Sequence, residues 1–215
     1  MRTIVISSLK GGVGKTLHAA HLSVALEAMG QGPVVAMDLD PQGTFSSWWN
    51  DRKADTPAFA QVENHAQIKA KHAQLEAAGF KWLIIDTPPQ TAEINRAAIR
   101  VADLVIIPCK HGKGDIEASL DTVELCEQEG RKFFYLLNET NGASVAEKTV
   151  KKLAAIGPVI PQTIPKLNGY WQSMYTGKTI TEISKGTGAI LIHDLAEFIV
   201  SKFEKPKAKE EKAYV

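Results

Sequence analysis

Seven consecutive residues, Lys10, Gly11, Gly12, Val13, Gly14, Lys15 and Thr16, have the types and spacing to hold a polyphosphate. Glycines at positions 11, 12 and 14 carry no Cβ, so the backbone can wrap tightly and aim its N–H groups at an anion. Lys15 can reach the terminal phosphates, and the Thr16 hydroxyl can sit on Mg²⁺. The common spacing of such loops would place a glycine at position 9. Here Leu9 stands there, and Lys10 adds a second cation.

Four further polar residues follow apolar runs at three places. Asp86 follows Leu83, Ile84 and Ile85 and precedes Thr87, Pro88 and Pro89. An acid so placed, downstream of a phosphate loop, can hold Mg²⁺ directly or through water. Asp38 and Asp40 alternate after residues 34–37, and either can instead cap the next helix. Asn138 follows Tyr135, Leu136 and Leu137; its amide can both donate to and accept from a purine edge, or serve a turn in the run from 138 to 142.

The elements that must position these groups read as an alternation of strands and helices without internal repeat. Residues 3–7 are a β-branched strand, and 17–29 are apolar at helical spacing and closed by Gly30. Strands are expected at 34–37, 82–85, 104–108 and 133–137, with a weak one at 58–62. A short edge strand at most is expected at 159–164, because of Pro161. Helices are expected at 45–50, 68–78, 94–101, 115–129, 144–155, 170–175 and 188–203. Ser144 with Glu147 three residues on predicts a capping box for the helix at 144–155. Continuous apolar strands between helices imply a doubly wound, mostly parallel α/β sheet with helices on both faces. Ligands of such sheets bind beyond the carboxyl ends of the strands, where all the chemical signals fall.

The composition suits one soluble domain, expected over residues 1–204: 215 residues, 44% hydrophobic, net charge +1. No run approaches the roughly 18 apolar residues of a membrane span. The two cysteines, Cys109 and Cys126, have no metal-like spacing and are expected as free thiols in a reducing cytoplasm. Residues 205–215 are charged, contain Pro206, and are expected to be a disordered tail.

The Lys-Gly-Gly-Val-Gly-Lys-Thr form resembles the deviant Walker A motif of the ParA/MinD ATPases, and the resemblance extends over nearly the whole chain. It implies a P-loop NTPase fold with ATP and Mg²⁺ as cofactors. By resemblance, Lys10 reaches across a nucleotide-sandwich homodimer to the partner subunit's phosphates. The nucleotide-binding set is then Gly11, Gly12, Val13, Gly14, Lys15, Thr16 and Leu17, with Asn138 and Pro165 at the adenine. Asp38, Leu39, Asp40, Pro41, Gln42 and Gly43 resemble the family's second nucleotide motif. Asp40 would orient the attacking water, and Asp38 would support Mg²⁺ with Thr16 and Asp86. Lys10, Lys15 and Asp40 form the catalytic set. Many relatives carry a second threonine where this chain has Leu17, which removes one hydroxyl contact to the α-phosphate.

A lysine that needs a partner's phosphates makes dimerisation depend on ATP, and hydrolysis then releases the dimer. Small ParA-type proteins use this switch for partition or positioning, binding DNA non-specifically as ATP dimers and meeting a cargo-bound activating adaptor protein. A cytoplasmic, nucleoid-associated location follows from that resemblance, and no membrane partner is expected. DNA contact needs lysines facing phosphates. Candidates are Lys166, Lys178, Lys185 and Lys202, with Lys205, Lys207 and Lys209 in the tail; each can equally be part of a solvated face. Membrane positioning of the MinD kind requires a C-terminal amphipathic helix, which the tail does not spell. An ATP-dependent amide ligase shares the fold and a similar loop, and a tyrosine autokinase would need more tail tyrosines than Tyr214.

Overall fold

The computed structural model describes residues 1–204. The tail expectation, with Lys205, Lys207 and Lys209, lies outside the described residues. Seven parallel strands form one sheet in the order β3-β2-β4-β1-β5-β6-β7. They are β1 Arg2–Ile6, β2 Val34–Asp38, β3 Ala58–Ala60, β4 Trp82–Asp86, β5 Leu104–Cys109, β6 Phe133–Thr140 and β7 Ile164–Pro165. Nine α-helices are described: α1 Lys15–Ala28, α2 Thr44–Asn50, α3 Ile68–Ala77, α4 Ala92–Val101, α5 Lys113–Gln128, α6 Ala143–Ala154, α7 Asn168–Met174, α8 Ile180–Ile183 and α9 Thr187–Ser201. Both faces of the sheet are covered, as continuous apolar strands require. Ile4, Ile6 and Ile84 belong to a core shared with α1, α2 and α9, whereas Val5, Leu83 and Ile85 belong to one shared with α4 and α5. The pleat sends alternate residues of one strand to opposite faces, so two cores share each central strand.

The parallel register explains why chemistry collects at one rim. Ile6 pairs with Asp86, and Asp38 pairs with Asp86, so β1, β2 and β4 end level. The phosphate loop, the Asp38–Asp40 turn and Asp86 therefore leave the sheet side by side.

Two expectations are corrected. The helix after β6 is not opened by a capping box at Ser144: Gly142 is its N-cap and no side chain caps it. Ser144 is already inside the first turn, and Glu147 pairs instead with Lys151 at 2.7 Å. The capping box lies at Thr179 and Glu182, opening α8. The second correction concerns β6, which runs on to Thr140, so Asn138 is within the strand rather than at its end. A register irregularity lies between Asn138 and Thr140, and Glu139 there has φ 52°. An extra residue of this kind bends the strand and re-aims its neighbours.

Candidate functional site

The phosphate loop bridges the end of β1 and the first turn of α1. Gly12 and Gly14 both have positive φ, 71° and 98°. A Cβ on Gly14 would run into the Asn138 amide, so the close approach itself demands glycine. Asn138 is buried, and its Nδ2 donates to Val13 O at 2.7 Å. Its described role is thus to hold the loop's backbone. Among the described residues, the N–H groups of Gly11, Gly12, Val13 and Gly14 have no acceptor. An open row of N–H groups at a helix N-terminus is a ready anion site.

Lys15 is buried and its Nζ donates to Lys10 O at 3.1 Å, across the loop. Burial lowers its pKa, against Asp86 and Asp40, which raise it. Lys10 is exposed. The two lysines of one loop therefore face different surroundings. One is folded inward beside carboxylates, and the other is in solvent.

The cation pole of the site is matched by an acidic one. Thr16 Oγ1 donates to Asp86 Oδ2 at 2.5 Å, and Asp86 is fully buried. Its Oδ1 is buried without a hydrogen-bond partner. Burial above all pushes the Asp86 carboxyl up to about 8; the Thr16 hydrogen bond and Lys15 oppose this, and Asp38 and Asp40 add to it. A partnerless carboxylate oxygen beside a hydroxyl fits a hard cation such as Mg²⁺, which would offset the buried charge. Thr16 and Asp86 would hold it, and both are oxygen donors of the kind Mg²⁺ takes.

Asp38, expected to support the metal, makes structural hydrogen bonds through both carboxylate oxygens. Its Oδ1 accepts from Asp40 N at 2.9 Å, and its Oδ2 accepts from Ser46 N and Ser46 Oγ, both at 2.9 Å. It therefore ties the turn to the first turn of α2. Asp40 is half-buried, and its Oδ1 accepts from Gln42 N at 2.9 Å. Of the two carboxylates, Asp40 is the one with an oxygen still open.

Pro165 in β7 lines a small cleft beside the loop, with Leu17, Asn138, Glu139, Lys166 and Trp171. It opens next to the first turn of α1, from which Leu17 lines it. Glu139 is held there by Lys110 at 2.8 Å. Trp171, Glu139 and Lys110 were not singled out from the sequence. The bulge that brings Glu139 to the cleft depends on strand pairing with β7, which no local pattern reveals.

The four candidate DNA lysines do not form one cluster. Lys166 lines the cleft just described. The backbone of Lys178 accepts from Trp48 Nε1 at 3.0 Å. Lys185 borders a groove with Ala25, Ala28 and Met29 at the far end of α1. Lys202 sits beside Leu104 and Lys132, at the amino ends of β5 and β6, and its Nζ lies 4.1 Å from the Phe198 ring centroid. Lys202 is therefore on the rim opposite the phosphate loop.

Buried histidines are a further feature with no sequence warning. His18 and His21 lie on α1, and both are buried. His21 Nδ1 donates to Leu17 O at 2.8 Å, and its Nε2 accepts from Ile180 N at 3.2 Å. Neither ring nitrogen of His18 has a partner. Burial pushes His18 down to about 3 and His21 to about 4.

Comparison with known proteins agrees with this geometry. A family model described as the CobQ/CobB/MinD/ParA nucleotide binding domain matches residues 4–214. The chain is 24% identical over 193 residues to a maintenance of carboxysome distribution protein A from Halothiobacillus neapolitanus, covering 84% of this chain and 87% of that one. Other curated relatives are spanned over about half their length, 55% and 54% in two cases. Among solved structures, the MinC:MinD cell division protein complex of Aquifex aeolicus superimposes with TM-score 0.81 at 19% identity, covering 97% of this chain and 99% of that one. A cobyrinic acid a,c-diamide synthase from Mycobacterium smegmatis, with bound ATP analogue and magnesium, gives 0.73 at 17% identity, covering 95% and 96%. Such identities speak for a shared fold alone. The match of the family model over nearly the whole chain shows that it belongs to the CobQ/CobB/MinD/ParA nucleotide-binding domain family.

Proposed function

We propose that this chain, as one domain over residues 1–204, is an ATP-hydrolysing switch of the ParA type. It dimerises on ATP, binds DNA non-specifically in that state, and drives partition or positioning of an intracellular cargo. The observation that carries the reading is the division of labour between the two loop lysines. Lys15 is turned inward beside Asp86 and Asp40, and Lys10 is exposed on the same rim. A second cation on a phosphate loop, unused by its own site, suits a second subunit's triphosphate.

Thr16 and Asp86 would hold Mg²⁺, which when bound would supply positive charge against the phosphates. This chain's own contributions are separable. The N–H groups of Gly11 through Gly14 bind phosphate, and Lys15 supplies positive charge. Asp38 fixes the turn by its bonds to Asp40 N and Ser46. Asp40 orients a water through its open carboxylate oxygen. Phosphoryl transfer has a loose transition state, so positioning and charge neutralisation suffice. Leu17 and Pro165 flank the base, and Asn138 keeps the loop in shape. A cargo-bound adaptor would act on the dimer, and the cytoplasm with the nucleoid would be its place.

Lys166, Lys178 and Lys185 are the described candidates for DNA contact, and dimerisation would double any weak patch they form. Lys202 is the weakest of the four, because its ammonium is engaged with Phe198 and Phe134. The test is retention of random duplex DNA at low salt. Retention with ATP, absent with ADP and falling steeply as salt rises, is expected. No ATP-dependent retention would remove DNA from the account. An amide ligase remains the second reading on one observation, the fold shared with the diamide synthase. Hydrolysis of ATP without any carboxylate or amine substrate separates the two.

A further inference from the structure

Arg52, just past the end of α2, uses every donor it has. Its Nε and Nη2 donate to Thr56 O at 3.1 and 2.7 Å. Nη1 donates to Gly177 O at 2.9 Å, and Nη1 and Nη2 donate to the two oxygens of Glu182, each at 3.1 Å. A guanidinium has five N–H groups, and all five are engaged. The side chain is 3% exposed, and its head lies 4.9 Å from the Trp48 ring centroid. Gly177 has φ 65°, and a Cβ there would strike the Asp51 carbonyl, so the two backbones meet directly.

What this joins is specific. Glu182 also accepts from Thr179 N and Thr179 Oγ1, at 2.7 and 3.0 Å, which opens α8. The first N–H of α8, on Ile180, is held by His21 of α1, the helix that grows out of the phosphate loop. The other end of α2 carries Ser46, bound to Asp38, which in turn holds Asp40 N. Seven residues of helix thus lie between a carboxylate turn and a bidentate ion pair.

We propose that Arg52 and Glu182 are positioning residues for hydrolysis: their paired hydrogen bonds fix α2, and through Asp38 the Asp40 turn, against the helix that carries the phosphate loop. This rests on the reading of Asp40 as the residue that orients water. Apolar packing of Phe45 and Trp48 already buries α2. What packing does not set is the slide of a short helix along its axis, and a directional fork does. A misplacement of about 1 Å at a catalytic group can cost on the order of a hundredfold in rate. Lysine in place of Arg52 keeps the charge and loses the fork.

The experiment compares R52K, E182Q and D40A with the wild type: steady-state turnover of Mg·ATP per active site, equilibrium binding of a fluorescent ADP, and thermal unfolding. R52K and E182Q are expected to lower kcat by roughly tenfold, with nucleotide affinity within about twofold and a folded protein at assay temperature. E182Q alters a residue that is 29% exposed, so it keeps the test open if R52K does not fold. Wild-type kcat in folded E182Q or R52K, while D40A is impaired, overturns the clamp. So does a fall in kcat matched by an equal loss of nucleotide binding, which marks general damage. Wild-type turnover in D40A overturns the role of Asp40 itself, whatever the other two variants do.

Discussion

Thr16 Oγ1 and Asp86 Oδ2 stand 2.5 Å apart at the mouth of the phosphate loop, and the other Asp86 oxygen is buried with no partner. One residue comes from the start of a helix and the other from the end of a strand 70 residues later. Parallel register, with Ile6 opposite Asp86, is what brings them together. The pair offers oxygen donors of the kind that Mg²⁺ takes, and the proposed reading gives them that ion.

The variant D86N should therefore separate nucleotide from metal. In the wild type, chelating Mg²⁺ is expected to weaken ATP binding on the order of tenfold or more. In D86N the affinity should be low already and respond little to chelation. Titration calorimetry with and without a chelator reads both. Full Mg²⁺ dependence in D86N would take Asp86 out of the metal site.

Removing Lys15 should abolish tight binding. Its ammonium is already buried, so under the proposed reading it would form strong charge-assisted hydrogen bonds to phosphate. Two or three kcal/mol of such bonding corresponds to about a hundredfold in Kd. K15A measured by fluorescent nucleotide binding is expected to show that loss, and an unchanged Kd would contradict the loop assignment.

The variant D40A should spare binding and stop turnover. A positioned carboxylate contributes about a hundredfold or more to a proton-linked step. The expected result is an ATP-bound species that persists, seen as slow phosphate release with normal ATP affinity. Normal phosphate release would remove Asp40 from the chemistry.

Acid should destabilise the domain through its two buried histidines. In the unfolded chain both titrate near 6.5; in the fold, burial holds His18 to about 3 and His21 to about 4. Between those values the unfolded state binds more protons, so stability falls as pH drops below about 6.5. Each such proton costs about 1.4 kcal/mol per pH unit. His18 has no hydrogen bond to lose, so H18L is expected to flatten the fall by about one proton. Chemical denaturation between pH 4.5 and 7 measures the slope, and an unchanged slope in H18L would mean that His18 is charged in the fold.

Much of the placement of the candidate site was legible because its signals are local. A glycine-rich loop between a β-branched strand and an apolar helix, and acids at the ends of apolar strands, need no tertiary knowledge. The parts that were not legible depend on distant pairing. Asn138 reads as a strand end because Glu139 is polar, yet pairing with β7 carries β6 on to Thr140. Ser144 and Glu147 spell a capping box, but Gly142 turns the chain into the helix two residues sooner. Arg52 and Glu182 are 130 residues apart, and nothing in either neighbourhood announces the other. His18 and His21 sit in a helix whose pattern reads as apolar, and only packing shows that their rings are enclosed.

The proposed switch stands on Lys10, exposed beside a buried Lys15. Analytical ultracentrifugation of the wild type and K10A, each saturated with Mg·ATP under non-hydrolysing conditions, tests it most directly. The wild type is expected to sediment as a dimer with ATP and as a monomer with ADP, and K10A to bind ATP normally yet stay monomeric. A K10A protein that forms the ATP dimer as readily as the wild type would contradict the account.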